Sequence, residues 1–350
     1  MKSQGLKVKK WLCQRVLIIE GSVCDYVLDR EEKLCTCPAH LFRKIECKHL
    51  KEAGEMPIEL GEIERTVRRW PSFSIGVNRL FGGALFTSDA IVGLHGLPHE
   101  GKSLWMIHEA FNLAAQGCNV LYIDTEGNAG EMFLHWKDKL AARFNPKGKI
   151  YLESRRSLES LCEFLGFKVA VVFHSASRKE KGKMEFRVIS SEEESEIEKV
   201  MKEKKISAVI IDSISAPIRI AFPDAQENFP SRASAMALMF GKLVALQEKY
   251  GCAVAVTAHS SVNPANPYQT WAELRGGVVA HHYIKRLLYI DSRKSKKYAN
   301  FRRLWVFRCE DKPKLGGVAT VEIKDDGIHD YENFAELLSD SELEMIANAE

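Results

Sequence analysis

From Phe73 onward, short apolar runs at Ala90–Leu94, Val120–Ile123, Ala208–Ile211 and Ala253–Val256 alternate with longer amphipathic stretches. Continuous β-rich runs separated by helical patterns predict parallel strands buried on both faces and joined by crossover helices. The rhythm changes towards the C-terminus. Leu287–Asp291, Leu304–Arg308 and Ala319–Ile323 follow one another with no helical stretch between them, so the sheet is expected to end in antiparallel strands. Arg178 to Lys183 is dense in charge, and Ser190–Lys205 carries acids at its start and lysines at its end. That polarity matches a helix dipole and predicts a capped, exposed helix on a solvated insertion. Near the N-terminus, Val16–Glu20 and Asp25–Asp29 read as a short hairpin, and His49–Ala53 as the start of a helix. The pattern as a whole is that of an α/β protein, a large core with a central, mostly parallel sheet preceded by a small ββα module. No internal repeat is visible.

Composition sets the scale. The chain has 350 residues, 45% of them hydrophobic, enough for one large core plus something small. We divide it into a module at 1–55, a linker at 56–72, a core at 73–335 and a tail at 336–350. The linker crowds Glu59, Glu62, Glu64, Arg65, Arg68 and Arg69 between Pro57 and Pro71. A formal net charge of +3 excludes a polycation, so any nucleic-acid surface must be local. No apolar run is long enough to span a bilayer, and the basic start MKSQGLKVKKW is not followed by a signal-peptide core. An odd total of nine cysteines speaks against a disulfide framework and for a reducing, cytoplasmic setting.

The chemistry begins where the first core strand ends. Ile91–His95 is followed by Gly96-Leu97-Pro98-His99-Glu100-Gly101-Lys102-Ser103 and then by the helical Leu104–Ala115. This is G-x-x-x-x-G-K-[ST] in its strand–loop–helix setting. Polyphosphate needs many donors at close range. Glycines let backbone N–H groups converge, and the helix N-terminus adds positive potential. Lys102 is placed to reach the β- and γ-phosphates of ATP and Ser103 to ligate Mg²⁺. Two further apolar strands end in carboxylates. Ala208–Asp212 puts Asp212 in reach of the Mg²⁺ through water, and Leu121–Gly127 presents Asp124 and Glu126. Glu126 is the candidate general base, or water-orienting group, for hydrolysis.

Residues 73–333 resemble the ATPase core of the archaeal RadA and eukaryotic strand-exchange recombinase family. The resemblance rests on Phe73–Gly76 through Gly82-Gly83, Gly101-Lys102-Ser103, Tyr122–Gly127, Ile210–Ser213, Tyr250–Thr257 and Gly276–His281. Circadian-clock-type KaiC ATPases are the nearest competing family. The resemblance implies a RecA-like fold and several roles. After the strand ending at Thr257 the family carries an Asn-Gln pair whose Gln senses the γ-phosphate; here the pair reads Ala258-His259, so His259 takes the sensor position. His281 matches a histidine that approaches a neighbouring subunit's ATP in family filaments, which makes a homo-oligomer one expected assembly. Asp311-Lys312-Pro313 resembles the cap over a neighbour's nucleotide, giving Asp311 and Pro313 a nucleotide role. Three departures set the chain apart. Asn128–Glu131 lacks the adenine-stacking arginine, the linker lacks the Phe-x-x-Ala polymerisation plug, and the helical N-terminal DNA-binding domain is missing. They point to a RadA paralogue, an accessory protein more than the main recombinase.

Two family loops face DNA. The first maps to about Ile218–Arg232, with Arg219, Phe222 and Arg232 beside Asp224 and Glu227; the second maps to Ser260–Arg275, with Asn263, Asn266, Tyr268, Trp271 and Arg275. Cations neutralise phosphates and aromatics stack on exposed bases. A third basic stretch, Arg293–Arg303, fits either a solvated hairpin tip or a DNA contact. Upstream, Cys35-Thr36-Cys37 and Cys47-Lys48-His49 offer three thiolates and an imidazole, a set suited to tetrahedral Zn²⁺. His40 is a rival ligand without paired spacing, and Cys13 and Cys24 read as plain hairpin residues. The C-x-C…C-x-H order resembles the SWIM zinc finger, which implies nucleic-acid or protein contacts through Lys44, Lys48 and Lys51.

These readings converge on an ATP-, Mg²⁺- and Zn²⁺-binding ATPase of DNA repair by homologous recombination, with single- or double-stranded DNA and a RadA-type recombinase as partners. An ATP-binding scaffold without turnover and a KaiC-like regulatory ATPase are the alternatives.

Overall fold

The computed structural model describes residues 8–11, 16–19, 26–29, 33–37, 47–54, 67–174, 183–223, 228–261, 273–274, 277–293, 296–309, 317–333, 337–339 and 342. The N-terminal module is an antiparallel sheet of β1 (Val8–Trp11), β2 (Val16–Ile19), β3 (Tyr26–Asp29) and β4 (Leu34–Cys35) in chain order, with α1 (Lys48–Gly54) after it. β2 and β3 are the expected hairpin. β1 and β4 flank it, so the frame has two more strands than the sequence pattern suggests.

Just before Phe73, β5 (Arg69–Trp70) pairs with β6 (Phe86–Thr87) around α2 (Ile75–Leu80). Trp70 and Ser72 are buried, so this end of the linker segment packs on the core. Then come β7 (Ile91–Gly96), α3 (Lys102–Ala115), β8 (Asn119–Asp124), α4 (Ala129–Phe144) and β9 (Ile150–Ser154). α5 (Leu158–Phe164) leads into a hairpin of β10 (Phe167–His174) and β11 (Lys183–Ser191), then α6 (Glu196–Glu203) and β12 (Ile206–Asp212). α7 (Ala216–Ala221), α8 (Phe229–Tyr250), β13 (Ala253–Ser261), β14 (Glu273–Leu274) and α9 (Gly277–Tyr283) follow. β15 (Ile284–Asp291), β16 (Phe301–Cys309), β17 (Val318–Lys324) and β18 (Gly327–Asp330) close the described sequence of elements.

The ten-stranded sheet runs β18-β17-β16-β15-β7-β13-β12-β8-β9, with β14 attached to β13. β15, β7, β13, β12, β8 and β9 are mutually parallel, and β16 to β18 are antiparallel, as the loss of helical stretches predicts. Alternation along the parallel strands feeds two cores. Ile91, Ile211, Val254 and Val256 pack with Leu238 and Phe240 of α8 on one face. Val92, Leu94, Tyr122 and Ile210 pack with Trp105 and Ile107 of α3 on the other. Ligands of open parallel sheets bind outside the carboxyl ends of the strands, and here Gly96, Asp124, Asp212 and His259 all stand at that end. Asp212 is the register partner of Asp124, and His259 that of Gly96.

The expected helix at Ser190–Lys205 is shorter. Ser190 and Ser191 finish β11, and the helix starts after Ser195, whose capping box with Glu198 satisfies the first turn. It is not exposed all round. Ile197 and Met201 are buried, and Glu198 accepts from Lys242 at 2.6 Å and Lys249 at 2.5 Å on α8. The missing signal was tertiary, because the lysines that pair with Glu198 lie more than forty residues away. Among the described residues no helix is long and apolar enough to cross a membrane.

Candidate nucleotide and metal sites

The loop between β7 and α3 is shaped by its glycines. A Cβ on Gly96 would lie 2.5 Å from the Ile290 carbonyl oxygen, and Gly101 holds φ at +94° at the N-cap of α3. Lys102 is only 7% exposed, and its ammonium donates to the Leu97 carbonyl at 2.8 Å. The loop is therefore closed on its own lysine. Burial pushes the Lys102 pKa down, opposed by the carboxylates of Asp212, Glu126 and Glu100. The Ser103 side chain hydrogen-bonds Asp212. Asp212 is buried at the end of β12, where the Tyr122 hydroxyl donates to Oδ2 at 2.7 Å and the Thr257 hydroxyl donates to Oδ1. Burial raises its pKa, against these hydrogen bonds. A hydroxyl and a carboxylate oxygen in contact form a hard-donor pair of the kind Mg²⁺ takes, so the residues present fit that ion.

The two acids of β8 have separate tasks. Asp124 accepts from the backbone N–H groups of Glu126 at 3.0 Å, Gly127 at 2.8 Å and Ala129 at 3.1 Å. It shapes the turn and starts α4. Glu126 is thereby presented at the site. Its Oε1 accepts from the Ser213 hydroxyl at 2.8 Å and lies 2.6 Å from His259 Nε2. The His259 bond holds the Glu126 carboxyl down at about 2, with Ser213 assisting and burial opposing. The backbone N–H of His259 donates to the Ser215 hydroxyl at 3.1 Å. The Ser103–Asp212 pair and the Glu126–His259 pair thus stand near one another at the ends of adjacent strands, both carboxylates acting electrostatically on Lys102.

This geometry meets an independent comparison. The model of the family described as AAA domain matches residues 78–265. The chain belongs to the AAA domain family. A comparison with curated proteins finds no match. The matched part of the AAA domain contains the glycine-rich loop, Glu126, Asp212 and His259; strands β15 to β18 complete its sheet beyond the match, and the Cys/His module precedes it.

The sequence reading gave two arginines near the site no role there, although one, Arg302, lies in the basic stretch Arg293–Arg303. Arg156, after β9, places Nη2 3.4 Å from the Gly127 carbonyl, beside the turn that carries Glu126. Arg302 on β16 donates from Nε to the Glu100 carbonyl at 2.9 Å, bracing the phosphate loop from outside the family match. Neither stands in a motif, and each reaches the site only through folding. Arg302 also changes the basic stretch Arg293–Arg303. Arg302 turns to the loop, and Arg303 turns to Asp291 at 2.8 Å and Glu342 at 2.9 Å. Arg293 and Lys297 instead flank the Tyr298 ring at 5.4 and 4.9 Å.

Of the residues assigned to DNA, Arg219 is exposed on α7 and Arg232 is half-buried on α8. Phe222 is fully buried, so it is not a base-stacking aromatic; it fills the core beneath α7. Tyr268, Trp271 and Arg275 lie outside the described residues, as do Asn263, Asn266, Asp224, Glu227, Asp311 and Pro313. His281 sits on α9, where its carbonyl accepts from Arg308.

Cys35, Cys37, Cys47 and His49 converge, with their ligand atoms all within 4.8 Å of one another. Tetrahedral zinc with thiolate ligands needs S···S edges of roughly 4 Å, so the cluster fits that ion. Hydrogen bonds from Cys35 and Cys37 hold the Cys47 thiol well below its ordinary range, and those with Cys37 and Cys47 raise His49 to about 9. His40, Lys44, Cys13 and Cys24 lie outside the described residues. The module rests on the AAA domain through Thr36, between two of the cysteines, whose hydroxyl lies 3.3 Å from that of Ser234 on α8.

Proposed function

We propose that this AAA-domain protein is a Mg²⁺-dependent ATPase that acts on DNA as a RadA-like accessory factor of recombination and repair, with Zn²⁺ held by its N-terminal module. One observation carries the reading: Glu126 and His259 share a hydrogen bond within the same strand-end group as Lys102, Ser103 and Asp212. Amides of residues 96–103 and the Lys102 ammonium bind the phosphates of ATP, with Asp311 and Pro313 as a cap over a neighbouring subunit's nucleotide. Bound Mg²⁺, held by Ser103 and by Asp212 through water, would neutralise charge on the β- and γ-phosphates. Glu126 orients a water and takes its proton as the water oxygen attacks the γ-phosphorus, the bond from that phosphorus to the β–γ bridging oxygen breaks, and ADP and inorganic phosphate leave. His259 is one hydrogen bond from that base. A γ-phosphate oxygen accepts the His259 bond in its place, and Glu126 is then left to the water.

The DNA part rests on the resemblance and on placement. Exposed Arg219 lies seven residues past Asp212, and the segment carrying Tyr268, Trp271 and Arg275 leaves from the tip of β13, next to His259. Buried cysteines at 118, 162, 252 and 309, outside the Cys/His cluster and in no disulfide, suit a reducing cytoplasm. An ATP-binding scaffold that recruits a recombinase is the second reading, favoured by Ala258-His259 standing where the recombinase family carries its Asn-Gln pair. Phosphate release measured with and without single-stranded DNA decides between them. Turnover that rises with DNA and vanishes in Lys102→Ala and Glu126→Gln supports the ATPase; nucleotide binding with no turnover in the wild type supports the scaffold. Hexameric rings with no DNA retention at moderate salt would instead mark a KaiC-like regulator.

A further inference from the structure

We propose that His95 is a positioning residue: its hydrogen bond to Ser260 fixes the tip of β13 and so keeps His259 on Glu126. The kinetic part of this inference rests on the ATPase reading; the structural part does not.

His95 is the penultimate residue of β7, directly before Gly96 of the phosphate loop, and is fully buried in a strand whose other members are Gly, Ile, Val and Leu. Its register partner on β13 is Ala258. Successive side chains of a strand point to opposite faces, so Ser260 shares the Ala258 face with His95, and His259 points the other way, to the nucleotide side. His95 Nδ1 lies 2.9 Å from the Ser260 hydroxyl oxygen. The ring packs against Tyr289 and Phe307, each with its centroid 5.0 Å away, and those two rings also touch each other at 5.6 Å. It cannot swing out without breaking that packing.

The second ring nitrogen, Nε2, has no hydrogen-bond partner among the described residues. A buried, half-satisfied imidazole costs stability, and a phenyl ring would fill the same space without that cost. What the histidine adds is the single bond to Ser260. Burial also holds the imidazole pKa down at about 3, so the ring is neutral and the bond persists across the physiological range.

The tip of β13 is consequently held from both faces. On one side the His259 ring meets Glu126, on the other the Ser260 hydroxyl meets His95, and the His259 backbone N–H donates to Ser215. His95 is also covalently next to Gly96, whose register partner is His259. One bond thus ties the origin of the phosphate loop to the sensor position and to the strand tip from which the second DNA-facing segment departs.

The test uses the full-length protein and four variants: H95F, which keeps the ring packing but loses the bond, S260A, S260T and the H95F/S260A double. In nucleotide-free protein, amide hydrogen exchange at His259 and Ser260 is expected to quicken about tenfold in H95F and S260A, with the rest of β13 unchanged. The double variant should be no faster than either single, and S260T, which returns the hydroxyl, should match the wild type. Unchanged exchange at the tip overturns the proposal whether or not the protein hydrolyses ATP. With a hydrolysing wild type, H95F and S260A should lower kcat roughly five- to tenfold with KM for ATP within about twofold. Effects that multiply in the double variant, or that fall on stability alone with kcat untouched, reduce His95 to a packing residue. A wild type without turnover refutes the ATPase reading, and the exchange measurement alone then decides this one.

Discussion

At Glu126 a carboxylate meets a serine hydroxyl and an imidazole at once, while Asp124, two residues earlier, is consumed by three backbone amides. On the proposed ATPase reading, that division leaves the proton chemistry to Glu126. Glu126→Gln is therefore expected to cut turnover by about 10²- to 10⁴-fold while nucleotide affinity is kept, checked by phosphate release beside a nucleotide titration. A second carboxylate controls stability. Glu109 on α3 is fully buried, accepts from the Ser72 hydroxyl and from Asn112 at 3.1 Å, and is pushed up to about 8 by burial. Its folded-state pKa lies above the ordinary 4.5, so its contribution is full below pH 4.5 and is lost as pH rises through about 8. The loss amounts to roughly 5 kcal/mol, the free-energy equivalent of the shift. Glu109→Gln keeps the shape without the proton, so its melting temperature should fall less than the wild type's between pH 5 and 9, as read by thermal unfolding.

At the scale of elements, α3 and α8 organise the two sites. α3 opens at the phosphate loop and is tied at its far end to the chain before Phe73, where Asn112 and Gln116 both donate to the Pro71 carbonyl at 2.8 Å. α8 takes the Cys/His module on Thr36 and the ion pairs of α6 on Lys242 and Lys249. A sheet as short as the N-terminal one has little core, and a metal in such a module supplies much of its folding energy. The protein should hold about one zinc per chain. Chelation, or Cys47→Ser, is expected to remove it and to add an early unfolding transition, with nucleotide binding by the AAA domain retained. Metal analysis and calorimetry check both; a single unshifted transition would count against a folding role for the cluster.

For the whole molecule, the proposed DNA binding turns on charge. The net charge is only +3, so binding must come from a few local cations and should be sensitive to salt. With a handful of phosphate contacts, affinity should drop by about 10²-fold or more between 50 and 200 mM salt. Arg219→Ala should weaken single-stranded DNA binding uniformly across sequences and flatten the salt slope by about one unit, as measured by fluorescence anisotropy. A slope unchanged in that variant would remove Arg219 from the interface.

What the sequence determined by itself was everything carried by local pattern. Apolar runs gave the parallel strands, the glycines around Lys102 gave the phosphate loop, the acids at strand ends gave Asp212 and Glu126, and paired spacing gave the Cys/His cluster. These signals are legible because each depends on residues within about a dozen positions of one another. The tertiary structure alone decided which groups touch. The sheet order sets β13 between β7 and β12, and that brings His259 to Glu126 across 133 residues, His95 to Ser260 across 165 and Arg302 to Glu100 across 202. It also buried Phe222 and gave Glu198 its lysines. Such contacts follow from strand order and helix packing, and no periodicity along the chain records them.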